Sequence, residues 1–207
     1  MIRLVVFDLW KTLASRERGY STRRVVEEFG IDMLFDTVVK IFENSVQTKR
    51  WRSKYRAYEN FCRNVGIGTD SKTVNRVIEI RDCSEASTRP LPHTMKMLKR
   101  LREGGYKTGL LSNSSVFAAE VLERKTKILD YIDYPVFSFE VGAVKPDLKI
   151  FRKILEISGF RPEETVMIGD KTEDDVEPAK RVGMKAILYT DYEQLKRDLK
   201  GLGVTIS

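Results

Sequence analysis

Ile2 to Phe7 form a dense apolar run that stops at Asp8. Such a run marks a central strand of a parallel sheet, covered on both faces. From about Ser15 to Thr88 the rhythm changes. Apolar residues recur there at helical spacing, in the groups Val25/Val26/Phe29, Phe35/Val38/Val39/Phe42/Val46, Tyr58/Phe61/Cys62/Val65 and Val74/Val77/Ile78, with no strand pattern between them. Four helices are predicted, separated at Gly30 and at the Gly66-Ile67-Gly68 turn, with Ser21 and Asp70 as N-caps. Beyond Arg89, helix and strand alternate. Helices are predicted at Thr94 to Arg102, Phe117 to Lys125, Pro146 to Ser158, Asp174 to Val182 and Tyr192 to Leu199, and strands at Tyr106 to Leu111, Val136 to Phe139, Thr165 to Ile168 and Lys185 to Tyr189. This order predicts an α/β fold with a doubly wound, Rossmann-like parallel sheet.

The first strand must then pair with strands that arise about 90 residues later. Residues 1–14 and 89–207 are expected to form one α/β core, and residues 15–88 a smaller all-helical domain inserted after the first strand. Hinges are expected at Ala14 to Arg18 and at Glu85 to Arg89, where the chain crosses between the two. Sheets of this type bind ligands beyond the carboxyl ends of their strands. Asp8, Ser112, Lys145 and Asp170 each lie at or just after such an end and are expected to converge.

Composition narrows the class. The 207 residues are 42% hydrophobic and 32% charged, enough for a sizeable core and unlike a disordered chain. The longest apolar runs are four residues, as at Leu4 to Phe7, against the roughly 20 needed to span a bilayer. The N-terminus meets Asp8 and Lys11 before a signal-length apolar stretch can form, so a cytoplasmic protein with no membrane partner is expected. Five Asn and two Gln beside 37 Lys+Arg and 30 Asp+Glu follow a thermophile pattern. With one histidine, His93, and two cysteines, Cys62 and Cys83, lacking CxxC spacing, a zinc site is excluded, and both thiols are expected to stay reduced.

The net charge of +7 raises the question of nucleic acid, but cations and anions are interleaved and no nucleic-acid partner is expected. Lys49, Arg50, Arg52, Lys54 and Arg56 enclose Trp51 and Tyr55, a mixture that suits an anionic ligand. Trp51, Tyr55, Tyr58 and Cys62 also recur at helical spacing, which favours a core face with a solvated opposite side.

Two carboxylates, a hydroxyl and an ammonium on strand-end loops carry a chemical implication. Carboxylates a few ångströms apart repel by about 4 kcal/mol at an effective dielectric near 20, so they need a cation between them. All-oxygen ligands select Mg²⁺, which commonly also binds substrate phosphate. A phosphoryl group held by the metal, Lys145 and Ser112 would be well neutralised and open to attack by a carboxylate or water.

In sequence order, these residues resemble the four motifs of the haloacid dehalogenase superfamily. Phe7-Asp8-Leu9-Trp10-Lys11-Thr12-Leu13 is similar to the first motif, DxDx[T/V]. Leu110-Leu111-Ser112-Asn113 is similar to the second, and Lys145 in Val144-Lys145-Pro146-Asp147 to the third. Ile168-Gly169-Asp170-Lys171-Thr172-Glu173-Asp174-Asp175-Val176 is similar to the fourth, GDxxxxD. The helical insert between the first two motifs resembles the family's cap. The resemblance implies Asp8 as nucleophile and metal ligand, and Trp10 as a metal ligand through its backbone carbonyl. It implies Asp170 as a direct ligand and Asp175 as support for the metal's water shell. Ser112 and the backbone at Asn113 would bind the phosphoryl oxygens, with Lys145 linking them to Asp8. Such a phosphohydrolase would act on a small phosphorylated metabolite.

One position departs from that pattern. Phosphatases of the family carry a second Asp two residues beyond the nucleophile, as acid and base; here it is Trp10. Indole has no proton to give in that role, and loss of such a group costs about 10²- to 10⁴-fold. Esters with poor leaving groups should therefore react slowly. D-x-aromatic-x-T also resembles the metal-free 2-haloacid dehalogenases of the superfamily, where the aromatic lines the substrate pocket; this is the alternative reading. Those enzymes lack the leading acid of the fourth motif, which Asp170 supplies here. A module that binds a phosphorylated ligand or a protein partner without turnover is the third. The insert, with 14 Lys+Arg against 11 Asp+Glu between Ser15 and Thr88, is mildly suited to an anionic substrate.

Overall fold

The computed structural model describes residues 1–16 and 21–206. Strand β1 (Leu4–Phe7) is wholly buried and hydrogen-bonds in parallel on both sides, to β4 (Lys107–Ser112) and to β6 (Thr165–Gly169). With β5 (Tyr134–Phe137) beyond β4 and β7 (Lys185–Leu188) beyond β6, the sheet order is β5-β4-β1-β6-β7. Successive side chains of a strand face opposite ways. Val5 and Phe7 accordingly join one apolar cluster with Leu98 and Leu101 of α5 (Thr94–Glu103) and Leu195 and Leu199 of α10 (Tyr192–Gly201). Leu4 and Val6 join another with Ile150, Phe151 and Ile154 of α8 (Leu148–Ser158) and Ala179 of α9 (Glu177–Arg181). Both faces are therefore covered, as an all-parallel sheet requires. Gly109 on β4 lets α8 come close, since a Cβ there would lie 2.7 Å from Ile154 Cδ1.

The helical segment holds α1 (Ser21–Phe29), α2 (Phe35–Val46), α3 (Lys54–Asn64) and α4 (Ser71–Glu85). Helix α2 packs on α3, α3 on α4, and α1 on both α2 and α4. Val38 and Phe42 of α2, Tyr58 and Phe61 of α3 and Val74 and Val77 of α4 are buried between them. Asp70 caps α4 by accepting from the Lys72 and Thr73 amides, and Ser53 caps α3 through Arg56 N. The chain crosses between segment and sheet at a short antiparallel ribbon, β2 (Ala14–Ser15) with β3 (Arg89–Pro90), which the periodicity does not foretell. Residues 17–20, including Arg18 of the first expected hinge, lie outside the described residues.

Other differences from the expected elements are local. The edge strand runs from Tyr134 rather than Val136 and ends at Phe137, followed by α7 (Ser138–Val141). Pro135 is tolerated there because an edge strand has one unpaired side. The helix expected from Asp174 begins as a π-helical turn, Thr172–Val176, before α9. Helix α6 (Val116–Lys125) is capped by Ser115. The basic segment around Trp51 is largely neutralised: Arg50 pairs with Glu140, Lys54 with Asp82 and Arg56 with Glu59. Cys62 is buried, Cys83 is exposed, and they do not form a disulfide with each other. Among the described residues, no helix is long and apolar enough to cross a membrane.

Candidate active site

The loops after β1, β4 and β6 and the turn before α8 meet beneath the helical segment. Asp8 follows β1 directly and is fixed by its amide, which donates to Ile168 O at 2.8 Å. The chain then turns tightly: the Leu13 and Ala14 amides both reach Leu9 O, and Lys11 adopts a left-handed φ of 63°. This loop brings Trp10 to the pocket wall. Lys145 precedes Pro146 in a turn whose position is set from β4: Asn113 Oδ1 accepts from Lys145 N at 2.8 Å, and Asn113 Nδ2 donates to Lys145 O at 3.2 Å. Asp175 rises from the π-helical turn and lies over Gly169. The absence of a side chain at Gly169 is essential to that approach, since a Cβ there would sit 2.3 Å from Asp175 Cγ.

Lys145 Nζ donates to Asp8 Oδ1 and to Asp175 Oδ1, both at 2.5 Å. All three side chains are buried. The Lys171 amide fixes the other oxygen of Asp175, at 3.1 Å. Asp170 is partly exposed, with Lys11 Nζ 3.7 Å from its Oδ2. Carboxylate oxygens of Asp8, Asp170 and Asp175 lie within 4.8 Å of one another. Burial opposes the charge on Lys145, but Asp8 and Asp175 overcome it and hold its pKa above the ordinary lysine value. Burial also pushes the Asp8 carboxyl up to about 7, against the pull of Lys145 and with Asp175 adding to the rise. Asp170 is likewise raised, by burial first, with Lys11 opposing. Asp8 and Asp175 thus share one buried ammonium, and Asp170 joins their cluster with the more distant Lys11 beside it. That charge imbalance, in an all-oxygen donor set, fits a hard divalent cation.

The cluster forms the floor of a cavity of about 280 Å³. Trp10, Asn113, Lys145, Asp8, Asp170 and Asp175 all line it. The Ser112 hydroxyl does not: the residue is fully buried and its Oγ lies 2.9 Å from Ser114 Oγ. Trp10 Nε1 donates to the same Ser114 Oγ at 3.3 Å. Much of the cavity's remaining wall comes from the inserted segment, and three of its residues escape sequence reasoning. Glu43 on α2 accepts from Asn113 Nδ2 at 3.3 Å, and burial raises its pKa despite that bond and nearby Lys171. Arg16 and Arg81 also face the cavity. A family motif flags none of the three; for Glu43, the acidic residue beside the apolar stripe of α2 was the available signal.

Comparison with known proteins gives a consistent family. Residues 2–183 match the model of the haloacid dehalogenase-like hydrolases. The chain is similar to a glyceraldehyde 3-phosphate phosphatase of Methanothermobacter thermautotrophicus, 28% identical over 217 aligned positions that cover 100% of this chain and 95% of the relative. Its fold is similar to that of a HAD-family enzyme of Bacteroides thetaiotaomicron in its magnesium complex, with TM-score 0.71, 20% identity and coverage of 95% and 98%. A 2-haloacid dehalogenase of Pseudomonas syringae is also similar in fold, with TM-score 0.63, 19% identity and coverage of 93% and 90%. The fold is thus shared with a dehalogenase and does not by itself choose between the two chemistries, so that choice falls to the site.

Proposed function

The chain belongs to the haloacid dehalogenase-like hydrolases, and from that premise we propose that it is a Mg²⁺-dependent phosphohydrolase of the cytoplasm, acting on a small phosphorylated metabolite. The observation that carries this reading is the Lys145 ammonium shared between Asp8 and Asp175, with Asp170 in the same carboxylate cluster. The domain reading follows: residues 15–88 act as a cap over a core of residues 1–14 and 89–207, and the cap selects the substrate. The glyceraldehyde 3-phosphate phosphatase similarity supports a substrate of this size.

In this mechanism the Asp8 oxygen attacks phosphorus, the ester oxygen departs with a proton, and water then releases phosphate from the aspartyl phosphate. Lys145 holds Asp8 in line and neutralises charge as it builds on the phosphoryl oxygens. Asn113 fixes the Lys145 turn and presents its backbone to the phosphoryl group, while Ser112 supports that loop. Asp8, Asp170, the Trp10 carbonyl and Asp175 would hold Mg²⁺, which supplies Lewis-acid polarisation of the phosphoryl group. Trp10 cannot protonate the leaving group, and Glu43 takes that part: it faces the cavity from the cap, is neither nucleophile nor ligand, and burial favours its protonated form.

Trp10 also favours a second reading, displacement of halide by Asp8. Against it stands Asp170, whose charge beside Asp8 has no use in metal-free chemistry and would raise the nucleophile's pKa. The two are separated by assaying phosphate release from p-nitrophenyl phosphate and acetyl phosphate, with Mg²⁺ and with EDTA, beside halide release from 2-chloropropionate. Phosphate release that needs Mg²⁺ supports the proposal, and halide release indifferent to EDTA overturns it.

A further inference from the structure

At the cap end of the cavity, two guanidinium groups carry hydrogen-bonding capacity that no described residue uses. Arg16 Nε and Nη2 are buried without a hydrogen-bond partner, and so is Arg81 Nε. Arg81 spends one Nη1 bond on Thr22 Oγ1, at 3.3 Å, and its guanidinium lies 3.9 Å from the Phe42 ring centroid. Glu85 is wholly buried, with one carboxylate oxygen 3.9 Å from Arg81 Nη2, too far for a hydrogen bond. Burial lowers the pKa of Arg16 to about 10, Glu85 opposing and Arg81 adding to the fall, so it stays charged at neutral pH. Two cations against one carboxylate leave this end positive.

Buried donors without partners are rare, and each calls for an explanation. Both arginines line the same cavity as Asp8 and Lys145. Guanidinium forks match the planar oxygens of carboxylates and phosphates better than any other side chain. Arg16 is also held in place, its guanidinium carbon 3.7 Å from the Trp10 ring centroid. The residue that removes the usual acid and base is therefore the platform for a cation facing the substrate.

We propose that Arg16 and Arg81 form an anion subsite at the cap end of the cavity, and that the substrate is a short phosphomonoester bearing a second anionic group, a carboxylate or a second phosphate. The inference rests on the reading of phosphoryl transfer at Asp8. The cavity volume keeps the two charged ends of such a substrate only a few atoms apart.

The test compares three esters that differ at the far end: 2-phosphoglycolate, ethanediol bisphosphate and glycolaldehyde phosphate, whose far end is neutral. The wild-type enzyme should favour at least one ester with an anionic far end over the aldehyde by about tenfold to a hundredfold in kcat/KM, the scale of one charged hydrogen-bonding contact, and which of the two wins tells carboxylate from phosphate. Arg16→Gln and Arg81→Gln should reduce that preference tenfold or more, mostly through KM, with Arg16→Lys restoring part of it. Arg81 lies against buried Glu85, so Arg16→Gln carries the test if the Arg81 variant does not fold. In parallel, thermal unfolding of Asp8→Asn with Mg²⁺ and each ester reads binding without turnover. Equal turnover of all three esters overturns the subsite and leaves the phosphatase standing. No turnover with selective stabilisation by an anionic ester overturns the phosphatase and leaves the subsite. No turnover and no selective stabilisation overturns both. A fall in all three esters alike in Arg16→Gln shows that Arg16 merely braces Trp10, and overturns the subsite.

Discussion

Replacing Gly169 by alanine tests the packing that places Asp175. The added Cβ would lie 2.3 Å from Asp175 Cγ, against the 3.4 Å at which such contacts become ordinary, so about 1.1 Å must be made up. Asp175 cannot yield freely, because it accepts from Lys145 Nζ at 2.5 Å and from the Lys171 amide at 3.1 Å. Gly169 cannot yield either without disturbing β6, whose backbone pairs with both β1 and β7. Overpacking of this kind costs about 1–3 kcal/mol, or about 2–12 °C in Tm for a chain of this length. A reacting group displaced by about 1 Å costs on the order of 10²-fold in rate. Gly169→Ala should therefore lose about a hundredfold in Mg²⁺-dependent phosphate release and need more Mg²⁺ for half-maximal activity, while still melting cooperatively by circular dichroism. Activity and Mg²⁺ requirement both within twofold of wild type would refute the argument that Asp175 must lie over Gly169.

Three further substitutions probe separate links. Trp10→Asp restores a carboxyl two residues after Asp8 but, with Glu43 already supplying the proton, should leave turnover of alkyl phosphates little changed, while loss of the Arg16 stacking and the Ser114 bond costs about 1–2 kcal/mol in a denaturant melt; a rise of about 10²-fold or more would show that the proton was missing and that Glu43 does not supply it. Glu43→Gln should slow alkyl phosphate turnover by about 10²- to 10⁴-fold and leave acetyl phosphate, whose leaving group needs no proton, much less affected. Because burial raises the Glu43 pKa, the wild-type rate on alkyl phosphates should fall as pH rises through that value, with Asn113, Lys145, Lys171 and Asp174 as the neighbours that set it; the variant should lose this limb, and an unchanged pH profile would remove Glu43 from the reaction. Asp70→Ala removes the α4 cap and should lower stability by about 1 kcal/mol without altering kcat.

The sheet is legible in the sequence because its strands are short, dense apolar runs ended by polar residues. The runs Ile2 to Phe7 and Thr165 to Ile168 locate β1 and β6 for that reason, and the structure sets their bounds at Leu4–Phe7 and Thr165–Gly169. The edge strand begins at Tyr134, ahead of the expected Val136, because Pro135 weakens a strand signal in isolation and only its position at the margin of the sheet makes it harmless. The ribbon of Ala14–Ser15 with Arg89–Pro90 is too short for periodicity to register. In the candidate site, Asp8 and Asp170 are legible because they directly follow strand ends, and Lys145 and Asp175 because their surroundings resemble the third and fourth family motifs. Ser112 was visible too, but its side-chain direction was not: a one-residue difference decides whether a strand-end side chain faces the cavity or the core. Arg16, Glu43 and Arg81 are not legible as site residues, since they come from the chain just after β2, from α2 and from α4 and converge only when those helices pack over the loops.

The central claim is that Asp8 is a nucleophile toward phosphorus in a site organised for Mg²⁺. It is tested most directly by phosphate release from acetyl phosphate with wild type and Asp8→Asn, each with Mg²⁺ and with EDTA. The account predicts release by wild type in Mg²⁺ alone, abolished by EDTA and absent from a folded Asp8→Asn protein. Release by folded Asp8→Asn at the wild-type rate, or release undiminished in EDTA, would contradict it.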